Sequence, residues 1–239
     1  MKRLLLVALF SFPSLALAEV ARISLLEGVA SRTPKDGAAQ PLAVGAALEL
    51  GDSISVKTGN LKLELTDGSV IALAPGSELV LTEAEFEGQE RKGFSALLKG
   101  GSLWTKVKKA MGGGKFEVAT ERAVAGVRGT IFRIDADALL KAARGRKGRR
   151  ASIVRVVEGA VHVRPSATVA KSLKTGAPRA GPRVEVAGPQ EVSVDAWEKI
   201  FVDLSAGQQV AVGVDLWEQA ALDEAAKNDA FAKWLEKNQ

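Results

Sequence analysis

The side chains that could carry out chemistry are few in this 239-residue chain. It has no cysteine and a single histidine, His162, so it can build neither a zinc–thiolate site nor a multi-histidine metal site. A carboxylate pair could still do acid–base chemistry, but every candidate acid falls at a predicted turn or strand end, where turn formation explains it. These acids are Asp52, Asp67, Asp135 and Glu158. The residue types therefore predict a non-enzymatic protein with no metal and no cofactor.

His162 would have to serve any serine–histidine triad. It stands between Val161 and Val163 in an alternating stretch, and neighbouring side chains of a strand point to opposite faces. If the two valines are buried, the histidine faces solvent. We interpret it as an exposed residue without a catalytic role.

A glycine run, Gly112 to Gly114, comes just before Lys115. A phosphate-binding loop needs a further glycine at a set distance before its Gly–Lys pair and a serine or threonine after the lysine. Here that glycine is missing and Phe116 follows. The run is therefore predicted to be a flexible linker.

Basic side chains crowd the segment 136–151. They are Lys141, Arg144, Arg146, Lys147, Arg149 and Arg150. Charge runs usually face water without a partner, which predicts a solvated hairpin loop. The alternative is that this loop binds an anionic envelope polymer, either a polysaccharide or a nucleic acid, in which case binding would weaken steeply with salt.

Short alternating runs separated by turn residues dominate the chain. Leu61, Leu63 and Leu65 alternate with charged residues, and the run ends at Asp67-Gly68, a strong hairpin signal. Repetition of this pattern predicts a mainly β fold, an antiparallel sandwich or jelly roll, with a β-solenoid as the alternative. With 46% hydrophobic and 5% aromatic residues, one aliphatic core is expected.

The C-terminal segment 215–239 has a helical pattern instead. Asp215 is predicted to cap a first short helix over Leu216–Ala221, and Asn228-Asp229 a second. Phe231, Trp234 and Leu235 would form the buried face of the second helix, which is expected to pack against the β domain.

The stretch from Lys115 to Asp135 has the most distinctive pattern in the chain. Both its ends alternate like strands, and Gly126 and Gly129 lie between them, as at a bulge or a close approach of two backbones. Arg128, next to Gly129, is predicted to pair with a carboxylate and anchor the sheet.

This stretch, F-x-V-x-T-x-x-A-x-x-x-V-R-G-T-x-F-x-I, resembles the hallmark of the FecR domain, the periplasmic part of regulators that respond to iron–siderophore uptake. The earlier run G-D-S-I-x-V-x-T-G to D-G-S-V-I, the E-G turn near residue 158 and the later G-Q-x-V element are also similar to that family, so the resemblance covers roughly residues 21–214. The residues that match its motifs, to which we assign structural roles, are Gly51, Asp52, Asp67, Gly68, Ser69, Arg128, Gly129, Thr130, Phe132, Glu158 and Gly159.

The first eighteen residues read as a secretory signal peptide. Lys2 and Arg3 precede an apolar run and an Ala-Leu-Ala site, which predicts cleavage after Ala18. The run is too short for a membrane span, and no later stretch qualifies. Cleavage would leave 31 of the 33 basic residues against 28 acidic ones, a net charge of +3, too small to imply a polyanion partner by itself.

The predicted organisation is therefore a signal peptide (1–18), a FecR-like β domain (19–214) with a basic loop (136–151) and a flexible loop (165–183), and a C-terminal helical segment (215–239). The resemblance implies a non-enzymatic module, periplasmic or secreted, that binds a protein partner of the cell envelope in signalling or assembly. Signalling members of the family act on a sigma factor through a cytoplasmic segment and one membrane helix. A cleavable signal peptide favours a soluble role in the envelope instead.

Overall fold

Alternation of apolar and polar side chains directs most of the chain into strands. A computed structural model describes residues 19–109, 113–140, 149–174, 201–213 and 216–238. The first eight strands are β1 (Ala21–Thr33), β2 (Gln40–Pro41), β3 (Ala47–Leu48), β4 (Ser53–Leu65), β5 (Val70–Leu73), β6 (Glu78–Glu87), β7 (Glu90–Gly100) and β8 (Ser102–Lys106). The others are β9 (Lys115–Ala119), β10 (Ala123–Val127), β11 (Ile131–Leu140), β12 (Arg149–Glu158), β13 (Ala160–Pro165), β14 (Val202–Ser205), β15 (Gln208–Gly213) and β16 (Leu216–Ala221). The helices are α1 (Ala167–Lys174), α2 (Glu224–Lys227) and α3 (Ala230–Lys237).

All sixteen strands belong to one continuous, curled sheet. A first arm runs β14-β13-β10-β9-β7-β6, and a second arm runs β5-β8-β11-β12-β15-β16. Strand β4 joins the arms, because its first residues pair with β6 and its last with β5. All pairs are antiparallel except β7 with β9. The predicted mainly β fold is confirmed, but the strands do not separate into the two unlinked sheets of a sandwich.

The two arms share one apolar core. Phe94 and Phe116 of the first arm stack with their ring centroids 4.9 Å apart, and Phe132 of the second arm is fully buried in the same cluster. Each buried side chain of this size contributes about 1.5–3 kcal/mol. Burial of every second residue along the strands therefore holds the arms together.

The C-terminal segment differs in part from the prediction. Leu216–Ala221 is strand β16, not a helix, and it pairs antiparallel with β15, with Trp217 opposite Val212. The free edge of β15 supplies backbone partners that an isolated six-residue helix would lack. The sheet therefore extends past residue 214, where the sequence placed the end of the β domain.

Helix α3 follows the prediction. The Asp229 carboxylate accepts a hydrogen bond from the Ala232 amide at 2.8 Å, which caps the helix. Phe231, Trp234 and Leu235 are buried. They pack on the outer face of the sheet, in a second apolar cluster with residues such as Trp104.

Both predicted loops contain regular structure. Strand β11 continues to Leu140 and β12 begins at Arg149, so the ends of segment 136–151 are strands whose backbones pair with each other. Within segment 165–183, residues 167–174 form α1, where the Ser166 hydroxyl accepts a hydrogen bond from the Val169 amide at 3.3 Å. Residues 1–18, 141–148 and 175–183 lie outside the described residues.

Candidate interaction site

Two chain crossings meet at one corner of the fold. The first runs from Val127 to Ile131 and the second passes through Glu158 and Gly159, and each leads from one arm to the other. The E-G turn does not join two paired strands, because β12 pairs with β11 and β15, whereas β13 pairs with β10 and β14. Two segments of the family motif, distant in sequence, are thus adjacent.

Glycine is required where the crossings touch. Gly129 and Gly159 have φ angles of 65° and 83°, in the left-handed region that other residues adopt at a cost. A Cβ on Gly159 would lie 3.0 Å from the Gly129 carbonyl oxygen. The hydroxyl of Thr130, which is buried, donates to the Ala160 carbonyl at 2.8 Å and ties the crossings together.

We expect Gly129→Val to destabilise the protein by about 2 kcal/mol, because valine must adopt a left-handed conformation. Gly100→Val is the matched control, since Gly100 has open space around it and no positive φ. Thermal unfolding of both variants and the parent measures the difference. Equal melting temperatures for the Gly129 and Gly100 variants would contradict a backbone-restricted corner.

Arg128 is not the predicted sheet anchor. Its side chain is exposed, and it forms no ion pair or hydrogen bond with any residue that the structure describes. The guanidinium lies over Gly113, with Nη2 3.8 Å from the position of a Cβ there. Gly129 has the positive φ of the crossing, whereas a Cβ on Gly126 would meet only ordinary contacts at 3.8 Å or more, so the prediction of a restricted backbone holds for Gly129 alone.

Lys109 lies beside the crossing that carries Arg128, and Lys108 precedes it in the chain. The Lys109 Cβ lies 3.0 Å from the position of a Cβ on Gly129, and the Lys108 ammonium 3.6 Å from the position of one on Gly68. Both side chains are exposed, and neither forms an ion pair within the described part of the chain. Lys108, Lys109 and Arg128 are called the corner surface below, and the exposed Glu158 lies beside it.

A buried ion pair supports the corner surface from beneath. Arg91 is fully buried and donates to the Asp67 carboxylate, to the Ser69 hydroxyl at 3.1 Å and to the Lys108 carbonyl at 3.1 Å. The Lys108 amide in turn donates to the Ser69 hydroxyl at 2.9 Å. Burial lowers the pKa of the Arg91 guanidinium from its ordinary value, and the Asp67 charge opposes that shift. The network fixes the backbone that carries the two lysines.

Sequence reasoning missed Arg91. Residues 83–92 are mostly charged or polar, but β6 and β7 form a hairpin there and Arg91 points inward. The sequence signal for its burial is the strand alternation: Arg91 stands two residues before Gly93, and both are buried while Lys92 between them is exposed.

The remaining motif residues have structural positions. The buried Asp52 carboxylate accepts from the Glu49 amide at 2.9 Å in the corner that follows Gly51. Gly68 has a φ of 78° in the turn between Asp67 and Ser69, and Phe132 is in the core.

The basic segment is partly paired. Arg150 forms an ion pair with Asp137, and Arg149 lies 3.6 Å from the Glu218 carboxylate. Lys141, Arg144, Arg146 and Lys147 lie outside the described residues. Binding of an anionic polymer by this segment stays a prediction, and the contacts of the two described arginines do not support it.

His162 points away from the buried Val161 and Val163, as predicted. Its Nδ1 lies 2.8 Å from the Asp203 carboxylate, and its ring contacts Phe201. In the described residues, no three acidic or histidine side chains cluster so that they could hold a metal ion. None of the described helices is long and apolar enough to cross a membrane.

Comparison with known proteins identifies the central region. The family model described as "FecR protein" matches residues 52–162. Two crystal structures of a candidate anti-sigma factor from Parabacteroides distasonis ATCC 8503 are similar, each at 18% identity with a TM-score of 0.46. They cover 77% of this chain, which spans 64% and 63% of theirs, less than two thirds. None of the curated proteins matches.

Proposed function

We propose that this chain, whose residues 52–162 match the FecR family model, is a non-enzymatic module of cell-envelope signalling that binds a protein partner. The FecR domain supports a regulatory role.

The observation that carries the proposal is the exposure of Arg128. The glycine and the threonine of the V-R-G-T crossing are needed for the fold, but the arginine forms no hydrogen bond or ion pair with the described residues. Together with Lys108 and Lys109 it offers three cationic side chains on a backbone fixed from beneath. Arginine is enriched at protein interfaces, so we assign partner binding to the corner surface.

We place the module in the periplasm or outside the cell. The support is the pattern of basic, apolar and small residues in the first eighteen positions. Protein that begins at Glu19 after export agrees with this placement, and exported protein that still begins at Met1 contradicts it.

The corner surface can be tested by affinity capture. The chain from Glu19, carrying Lys108→Ser, Lys109→Ser and Arg128→Ser, is incubated with envelope extract beside the parent. Loss of three exposed charge pairs, each contributing about 0.5 kcal/mol, should weaken partner binding about tenfold. The matched control replaces Lys35, Lys57 and Lys233 by serine, because these lysines are exposed elsewhere and the net charge falls equally.

We expect the parent and the control to retain the same envelope protein and the corner variant to lose it. The purified partner should then show the tenfold difference in Kd. Equal capture by the corner variant would contradict the assigned surface. Captured material that nuclease or glycosidase removes would contradict a protein partner and return the polymer alternative.

A further inference from the structure

A cleft on the outer face of the second arm has no role in the proposed function. Its volume is about 270 Å³. Strands β8, β11 and β12 form the floor of the cleft, and Leu222 with helices α2 and α3 forms its wall. It lies on the side of the sheet that α3 covers, and it includes none of the three side chains of the corner surface.

Two arginines lie side by side on the cleft floor. Arg133 and Arg155 are direct cross-strand neighbours, and Trp104 is next in the same row. Arg155 is 7% exposed. Like charges directly opposite each other in a sheet are destabilising, so this arrangement needs compensation.

Asp135 supplies part of that compensation. It accepts from the Arg133 Nε at 3.0 Å, from the Ser102 hydroxyl at 2.6 Å and from Arg155. Burial by itself would raise the pKa of Asp135, but the charges of Arg155 and Arg133 and the Ser102 hydrogen bond hold it below its ordinary value. The carboxylate is therefore ionised at neutral pH.

Each guanidinium keeps one nitrogen unused. Arg133 donates through Nε and Nη1, the latter to Asp229 at 2.6 Å and to the Ala226 carbonyl at 3.3 Å. Arg155 donates through Nη1 to Asp135 and through Nε to the Gln209 side chain at 3.1 Å. Neither Nη2 donates to a described residue, and neither belongs to the buried polar atoms without a partner. Neither nitrogen is therefore fully buried, and both arginines line the cleft.

The other side chains around the cleft are mainly apolar. They are Trp104, Val157, Leu222, Ala226, Ala232 and Leu235, together with Lys227 and Glu236. Lys227 is held by Glu224 at 2.6 Å, and Glu236 is an exposed residue of α3. An apolar cleft with a few convergent polar groups is the usual form of a small-ligand site.

We propose that this cleft binds a carboxylate attached to an apolar body. Arg133 and Arg155 hold the carboxylate together, because the free Nη2 of each can donate a charge-assisted hydrogen bond to it. Trp104, Val157 and Leu222 contact the body. The ligand is either the C-terminus of a protein or a free aliphatic acid, since both carry this chemistry.

The test is calorimetric titration of the chain from Glu19 with matched acids and amides. The probes are N-acetyl-leucine, octanoic acid and a tetrapeptide that ends in leucine, each beside its amide. We expect the acids to bind at least about tenfold tighter than the amides, because a neutral amide loses the charge-assisted hydrogen bonds. A tighter tetrapeptide indicates a protein C-terminus, and a tighter octanoate indicates a free acid.

Two variants locate the binding. Val157→Glu places a repelling carboxylate in the cleft at a residue that is 52% exposed, so the fold tolerates it, and it should weaken acid binding at least about tenfold. Val29→Glu is the same change at a residue that is 58% exposed on β1, and it should bind as the parent does. Equal binding of acid and amide would overturn the proposal, and so would equal binding by Val157→Glu and the parent. No binding of any acid up to about 10 mM would also overturn it.

The proposal does not depend on the proposed function. Small acids replace any partner in the test, and the corner surface is unchanged in both variants. Failure of the titration therefore leaves the capture experiment intact, and failure of the capture experiment leaves the cleft intact.

Discussion

Replacing Asp67 by alanine should destabilise the protein by about 3–5 kcal/mol, because it leaves the Arg91 charge buried without its counter-ion. Arg91 is 0% exposed and Asp67 6% exposed, so water cannot replace the lost carboxylate. For a domain of this size, such a loss corresponds to a fall in Tm of about 10 °C. Chemical and thermal unfolding measure it.

Two further variants separate the ion pair from general effects. Asp36→Ala removes an exposed carboxylate in a loop and should change stability by less than about 0.5 kcal/mol. Arg91→Met combined with Asp67→Ala removes both charges and should recover part of the loss, because an unpaired buried charge costs more than an absent pair. A double variant less stable than Asp67→Ala alone would contradict this explanation.

The sequence predicted those elements whose signal is local. Alternating leucines in β4 identify a strand with one buried face, and Asp229 with Phe231, Trp234 and Leu235 identifies α3. In both cases the periodicity and the cap lie within the element itself. Such features need no knowledge of the rest of the fold.

The features that sequence reasoning missed depend on distant partners. Leu216–Ala221 has a helix-like apolar pattern, but the free edge of β15 makes it a strand. Glu158-Gly159 looks like a hairpin turn, yet the two flanking strands pair with other strands. Local propensity cannot report which backbone lies beside a segment.

The two arginines of the candidate site also differ because of contacts that are distant in sequence. Arg91 stands among charged residues and is buried because Asp67, 24 positions earlier, meets it. Arg128 stands between an apolar residue and a glycine and is exposed, because it lies where the chain crosses from one arm to the other. The burial of a charged side chain depends on tertiary contacts, so the sequence assigned the structural role to the wrong arginine.

The close approach of β1 and β4 should be even less tolerant of change than the buried ion pair. Gly28 and Gly59 face each other across these strands, and a Cβ on Gly59 would lie 1.7 Å from the Glu27 carbonyl oxygen. Since that atom belongs to the backbone, the strands must separate to admit a methyl group. We expect Gly59→Ala to cost more than about 4 kcal/mol, in the range reserved for severe steric conflicts.

Gly76→Ala is the control that isolates the close approach from backbone strain. Gly59 and Gly76 have similar φ angles of 70° and 77°, but a Cβ on Gly76 meets nothing within 4 Å. The control should therefore lose only the left-handed strain of about 1–2 kcal/mol. The Glu27 carboxylate also accepts from the Trp234 indole at 2.7 Å, so displacement of β1 in Gly59→Ala should loosen α3 and shift tryptophan emission to longer wavelength. Equal losses of stability in the two variants, with unchanged emission, would show that strain alone explains these glycines and that β1 and β4 can separate at little cost.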